Sequence, residues 1–73
     1  MAKVKVELTI PSDLKDKPIF HTMCCEYKVI PNIIEASFST SMGWAILTIE
    51  GKREEVDRLL NSLRENRIAV KIL

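Results

Sequence analysis

Val4, Val6, Leu8 and Ile10 alternate with Lys3, Lys5, Glu7 and Thr9 without interruption. A period of two sustained this long is a half-buried β-strand, apolar on one face and wet on the other. A single strand cannot cover its own apolar face. In a chain of 73 residues the remaining segments must supply both the sheet around it and the layer above it.

The rest of the chain supplies them in order. Pro11 ends the strand, and Ser12 to Lys17 form a charged loop. Pro18 suits a first helical turn, where its missing donor is not needed. Ile19, Phe20, Met23, Cys24 and Tyr27 then fall at spacings of three and four, which predicts a short helix from Pro18 to about Tyr27. Val29-Ile30-Pro31 breaks it, because a residue before proline avoids helical geometry. A second strand is predicted over Asn32 to Thr40, then a tight turn at Ser41-Met42-Gly43, then a third strand over Trp44 to Glu50. Gly51 separates this from a helix over Lys52 to Asn66, whose stripe is Val56, Leu59, Leu60 and Leu63. Glu54, Glu55 and Asp57 suit its N-terminal dipole, and Glu54 is four residues from Arg58. Ile68, Val70 and Ile72 alternate in a last strand.

The order β-α-β-β-α-β predicts an α+β fold, a ferredoxin-like (ACT-like) sandwich forming one domain over residues 1–73, with its core at about 4–73. Right-handed crossovers put both helices on one face of an antiparallel four-stranded sheet of order 4-1-3-2. The expected core is Val4, Val6, Leu8, Ile10, Ile34, Ala36, Phe38, Ala45, Leu47, Ile49, Val70 and Ile72. The open face is expected to carry Lys5, Glu7, Thr9, Ile33, Glu35, Ser37, Ser39, Trp44, Ile46, Thr48, Glu50 and Lys71. Within it Glu35, Ser37, Trp44 and Ile46 form a candidate partner face, since a Trp on an uncovered sheet points to a contact. Asn32 to Thr40 is an edge strand with one charge, Glu35, and few defences against pairing. A homodimer along it is expected.

Eleven basic residues against ten acidic ones leave a net charge of +1, which gives no footprint for nucleic acid or an anionic membrane. With 47% apolar and 29% charged residues, the composition is that of a globular domain and not of a disordered chain. The N-terminus has no signal-peptide pattern and no long apolar run follows, so a cytoplasmic protein without membrane insertion is expected. Cys24 and Cys25 are adjacent and unsuited to a disulfide with each other. With His21 they have helical ligand spacing, but a zinc site needs three or four ligands and no second cluster exists. Cys24 is expected beside Phe20 and Tyr27, facing the core. Gly43 and Gly51 are the only glycines, so no glycine-rich phosphate loop is present. No catalytic residue, metal or cofactor is expected.

Asn32 admits two readings: a cap on the loop before the strand, or an amide placed to hold something. The run Asn32-Ile33-Ile34-Glu35-Ala36, the segment Ala45 to Gly51 after Gly43, and the closing Ile68 to Leu73 resemble the NIL domain, a family named for an Asn-Ile-Leu tripeptide. The likeness extends to Lys17-Pro18-Ile19 and covers about Val4 to Leu73. It implies a regulatory domain, best known at the C-terminus of the ATPase of methionine-import ABC transporters. There, paired domains bind methionine and inhibit transport. Related copies stand alone or are fused to ferredoxin modules, near sulfur amino-acid metabolism. Carried over residue by residue, the resemblance makes Asn32 a contact for the amino acid. Phe38 would line the same site, where a transporter copy has Met. Ile33, Ile34 and Met23 complete the expected ligand surroundings. The chain departs from the transporter subunit in lacking its ATPase, and from the fused copies in lacking ferredoxin cysteines. The leading expectation is a non-catalytic module binding methionine or a related sulfur amino acid at a dimer interface. The alternative is an interaction module assisting an enzyme of homocysteine or methionine synthesis, or a transporter component.

Overall fold

A computed structural model of the protein describes residues 1–14 and 16–73; Lys15, in the charged loop, lies outside the described residues. The elements are β1 (Ala2–Pro11), a 3-10 turn (Ser12–Leu14), α1 (Ile19–Glu26), β2 (Val29–Phe38), β3 (Met42–Gly51), α2 (Arg53–Glu65) and β4 (Ala69–Ile72). The sheet order is β2-β3-β1-β4 with every neighbour antiparallel, the predicted 4-1-3-2 read from the other edge. The fold is the expected ferredoxin-like sandwich.

The centre is the β1–β3 pair, in register without a break from Ala2↔Gly51 to Pro11↔Met42. Their alternation puts Val6, Leu8 and Ile10 beside Ala45, Leu47 and Ile49 on one face, all buried. α2 lays Val56, Leu59, Leu60 and Leu63 onto that face, and α1 adds Met23. Leu14 and Ile68 close the two ends of the same core.

Several boundaries move, each for a local reason. β2 begins at Val29, so Pro31 lies inside it; an edge strand tolerates a residue with no donor. The hairpin turn is Ser39-Thr40-Ser41, not Ser41-Met42-Gly43. Its donors are met by a serine: Ser39 Oγ accepts from Ser41 N–H at 3.3 Å and Met42 N–H at 3.2 Å. No glycine is needed there. Gly43 lies in β3 instead, where a Cβ would overlap the ring of Phe38. Gly51 ends β3 rather than separating elements, and a Cβ on it would come within 2.8 Å of the Lys28 carbonyl.

The expected core needs a larger correction. Val4 and Val70 are only partly buried, while Ile34, Ala36, Phe38 and Ile72 are exposed. β2 and β4 are the sheet edges, and the eight-residue α1 leaves most of β2 uncovered, touching its far end only through Phe20 against Phe38. Cys24 is exposed as well as Cys25. Met23 is the one buried residue of α1, and Cys24 sits about 100° around the helix from it, beyond the narrow stripe.

Two clasps fasten the helices. At the C-terminus of α2, Arg67 N–H donates to Arg64 O at 3.1 Å and Ile68 N–H to Leu63 O at 3.0 Å. Buried Ile68 comes back to buried Leu63, which completes a Schellman motif. The left-handed residue is Arg67, with φ 66°. At the other end, Glu55 and not Glu54 pairs with Arg58. Arg58 Nε and Nη2 donate to Glu55 at 3.0 and 2.9 Å, and Lys28 N–H donates to it at 3.0 Å. Arg58 Nη2 also donates to Glu26 O at 3.0 Å, and its guanidinium lies 4.3 Å over the Tyr27 ring. This fork ties α2 to the segment leaving α1. The Arg58 hydrogen bonds first, then the Lys28 N–H, lower the Glu55 pKa from 4.5 to about 2.

A folded-state pKa below the unfolded value contributes stability above the unfolded pKa and loses it as pH falls. Stability should therefore decline between pH 4.5 and about 2, and the decline should be shallower in Glu55→Gln when urea midpoints are compared across that range. At Arg67, Gly and Ala substitutions both remove the exposed ion pair with Asp13, but only Gly suits a left-handed φ. Arg67→Gly should be more stable than Arg67→Ala by about 1 kcal/mol in chemical denaturation.

Candidate functional site

β2 has two phases of alternation, and this decides what its surface presents. Val29, Pro31 and Ile33 pair with Gly51, Ile49 and Leu47 on the helix side, while Ile30 and Asn32 pair with Glu50 and Thr48 on the open side. The register then slips between Ile33 and Glu35, leaving Ile34 as the extra residue of a β-bulge. Beyond it Glu35 and Ser37 pair with Ile46 and Trp44 on the open side, and Ala36 and Phe38 with Ala45 and Gly43 on the helix side. Ile33 therefore belongs to the helix side and not to the open face where simple alternation placed it. The slip is visible in the residues: adjacent Ile33 and Ile34 join an odd-numbered apolar phase to an even-numbered one.

The outer edge of β2 pairs with no strand among the described residues. Around it stand Ile33 at 49%, Ile34 at 53% and Phe38 at 55% exposure, with Ile30 and Met42 also exposed. Asn32 is exposed in their midst. The length and exposed apolar side chains of this edge favour pairing with another strand, while Pro31 and the bulge at Ile34, both absent from the expected strand, oppose it locally. Phe38 is held at its end by an edge-to-face contact with Phe20, at 6.1 Å between centroids, and by the glycine beneath it.

A pocket of about 290 Å³ opens behind Phe38, floored by Ile10, Leu14, Ile19, Phe20 and Met42, with Lys17, Ser12 and Ser39 also lining it. A second pocket, of about 230 Å³, lies between α1 and α2 and includes Met23 in its lining. Met23, 1% exposed, is thus part of the helix layer and away from the outer edge that carries Asn32, Ile33 and Ile34. Asn32 and Phe38 lie six residues apart along one strand, roughly 20 Å, and do not meet within a single chain.

The helix-free face carries Glu35, Ser37, Trp44 and Ile46 together, joined by Thr9 opposite Trp44 and Glu7 opposite Ile46. Trp44 and Ile46 are half-buried and, with Glu7, Thr9 and Met42, line a shallow depression of about 280 Å³. Among the described residues, no three His, Cys, Asp or Glu side chains converge as metal ligands, and no helix is long and apolar enough to cross a membrane.

The NIL-domain family model matches residues 4–72. Among solved structures, the C-terminal domain of an ABC transporter ATP-binding protein from Enterococcus faecalis superposes with a TM-score of 0.82. The identity is 19%, over 96% of this chain and 82% of that one, so the likeness concerns the fold. No curated protein sequence matches this chain.

The bulged edge should be nearly free of folding duty. Ile34→Lys is expected to change the unfolding free energy by no more than about 0.5 kcal/mol in dilute protein. Leu47→Ala, at a fully buried site, should cost about 2–5 kcal/mol in the same titration.

Proposed function

Because this chain belongs to the NIL-domain family, we propose that it is a non-catalytic regulatory module of the cytoplasm. It binds methionine or a related sulfur amino acid between two copies paired along β2. The observation that supports this most is the outer edge of β2, which pairs with no strand among the described residues and carries exposed Ile30, Ile33, Ile34 and Phe38 around one exposed amide, Asn32, with Glu35 and Ser37 as its other polar residues. A second copy presents the same edge, and pairing two such edges would cover the exposed apolar residues of both. The solved neighbour, a C-terminal domain of a transporter ATP-binding protein, fits a module whose ligand state is read by an attached or associated transporter component.

The bulge restricts how two copies pair. An antiparallel pairing that uses all of β2 and keeps like faces together sets Val29 opposite Phe38, Ile30 opposite Ser37, and Asn32 opposite Glu35 of the second copy. Ile33 and Ile34 then lie at the two-fold axis. Asn32 and the facing Glu35 lie together on the helix-free face and present an amide and a carboxylate to the two charged ends of an amino acid there, while Ile33 packs the two copies together on the helix side. Phe38 closes the hairpin end. A ligand touching both copies favours the paired state by its differential affinity for it.

The helix-free face supports a second reading. Trp44 and Ile46, half-buried and set among Glu7, Thr9, Glu35 and Ser37, form a surface suited to a protein partner such as an enzyme of homocysteine or methionine synthesis.

Thermal unfolding against a panel of amino acids separates the two. Methionine or a close relative should raise stability with the logarithm of its concentration, by about 2.7 kcal/mol at a hundredfold excess over Kd. Sedimentation should report association that increases with ligand, and Asn32→Ala should remove both responses. A flat response across the panel, or one unchanged in Asn32→Ala, overturns the amino-acid reading.

A further inference from the structure

The helix layer is fastened at one end and open at the other. The Arg58 clasp, through Glu55 and the Glu26 carbonyl, ties the end of α1 to the first half of α2. Among the described residues no side-chain hydrogen bond joins the start of α1 to the end of α2, and α1 buries only Met23. The helices therefore leave a crevice of about 230 Å³ between them. Its floor is Met23, Leu59, Leu63 and Ile68, all buried. Thr22 of α1 and Ser62 of α2 stand half-buried on its two walls, and Lys17 is exposed at its mouth.

An apolar cavity with a few polar groups converging on it is the usual form of a small-molecule site. Here the charges select the ligand. Lys17 is the one charged residue of the lining, with no Asp or Glu beside it. An ammonium and two hydroxyl donors suit a single carboxylate. An ammonium on the ligand would meet no carboxylate in this lining, which disfavours a free amino acid and sets the crevice apart from the β2 edge. Size sets the body of the ligand. An apolar cavity of about 150 Å³ accepts benzene, so this one holds a ring with a short acid-bearing arm, or an alkyl chain of similar bulk.

We propose that the crevice between α1 and α2 binds a small apolar monocarboxylate, its hydrocarbon body on Met23, Leu59, Leu63 and Ile68 and its carboxylate at Lys17. Such a ligand bridges the two helices at the end where the clasp does not. The site is independent of the one proposed at β2, since neither Asn32 nor Ile34 lines it. Lys17 also borders the pocket behind Phe38, whereas Ser62 lines only the crevice, so Ser62 tells the two apart.

Titration of isotope-labelled protein with phenylpropionate, phenylpropionamide and phenylpropylamine, followed by amide chemical shifts, tests this. Phenylpropionate should give saturable shifts at Thr22, Ser62 and their neighbours. The amide should bind about fivefold more weakly, and the amine more weakly again. Lys17→Gln should bring the acid down to the affinity of the amide while leaving the amide unchanged. Ser62→Phe, which fills the crevice, should abolish binding of both with far-ultraviolet circular dichroism unchanged. Asn32→Ala should leave binding intact, whatever methionine does at the edge. The proposal is overturned if phenylpropionate gives no saturable change, if acid and amide bind alike, if Lys17→Gln keeps the preference for the acid, or if binding survives in folded Ser62→Phe.

Discussion

The structure depends on the unbroken ladder between β1 and β3. Ten consecutive residue pairs, Ala2↔Gly51 to Pro11↔Met42, fix which face of each central strand turns inward. A slip of one residue would expose Val6, Leu8 and Ile10 of β1 or Ala45, Leu47 and Ile49 of β3. Each helix then has one place to bury its stripe. Small domains bury a limited share of their surface, so most of the cohesion must come from this central patch, and the outer strands are left comparatively uncovered.

That inequality between centre and edge is what makes β2 interesting. Only Val29 of its ten residues is buried. The others keep their antiparallel pairing to β3, but their side chains are released from core duty, including Phe38 and the bulged Ile34. The bulge adds a second effect: it changes the phase of the strand at its middle, so its two halves present opposite parities to the same face. A surface of this kind suits self-association, and it limits the registers in which two copies keep like faces together.

The helix clasps show how polar groups take part in a core that buries no polar side chain among the described residues. Glu55 satisfies the Lys28 N–H and the Arg58 guanidinium at once, and Arg58 continues to the Glu26 carbonyl and the Tyr27 ring. These are partly exposed interactions, individually modest. Together they define where α1 ends and β2 begins, with no glycine at that junction. Arg67 does the corresponding work at the end of α2, taking a left-handed backbone.

Residue periodicity determined the element order and the central core, because a period of two or 3.6 is a local property that survives any packing, and the handedness of crossovers added the strand order. It also singled out β2 as an edge and, through the family resemblance, Asn32 as the residue to watch. The exposure of Ile34, Ala36 and Phe38 was beyond it, since whether an apolar residue is covered depends on how far a helix from another part of the chain extends. So was the solvent-facing position of Cys24, set by the narrow contact of α1 with the sheet. Pro31 inside a strand, a serine-held turn and Arg58 choosing Glu55 over Glu54 were likewise decided by partners distant in sequence. Even the bulge, written in the phase change at Ile33-Ile34, acquires its consequence only from β3 alongside it, which keeps its own phase and obliges β2 to yield.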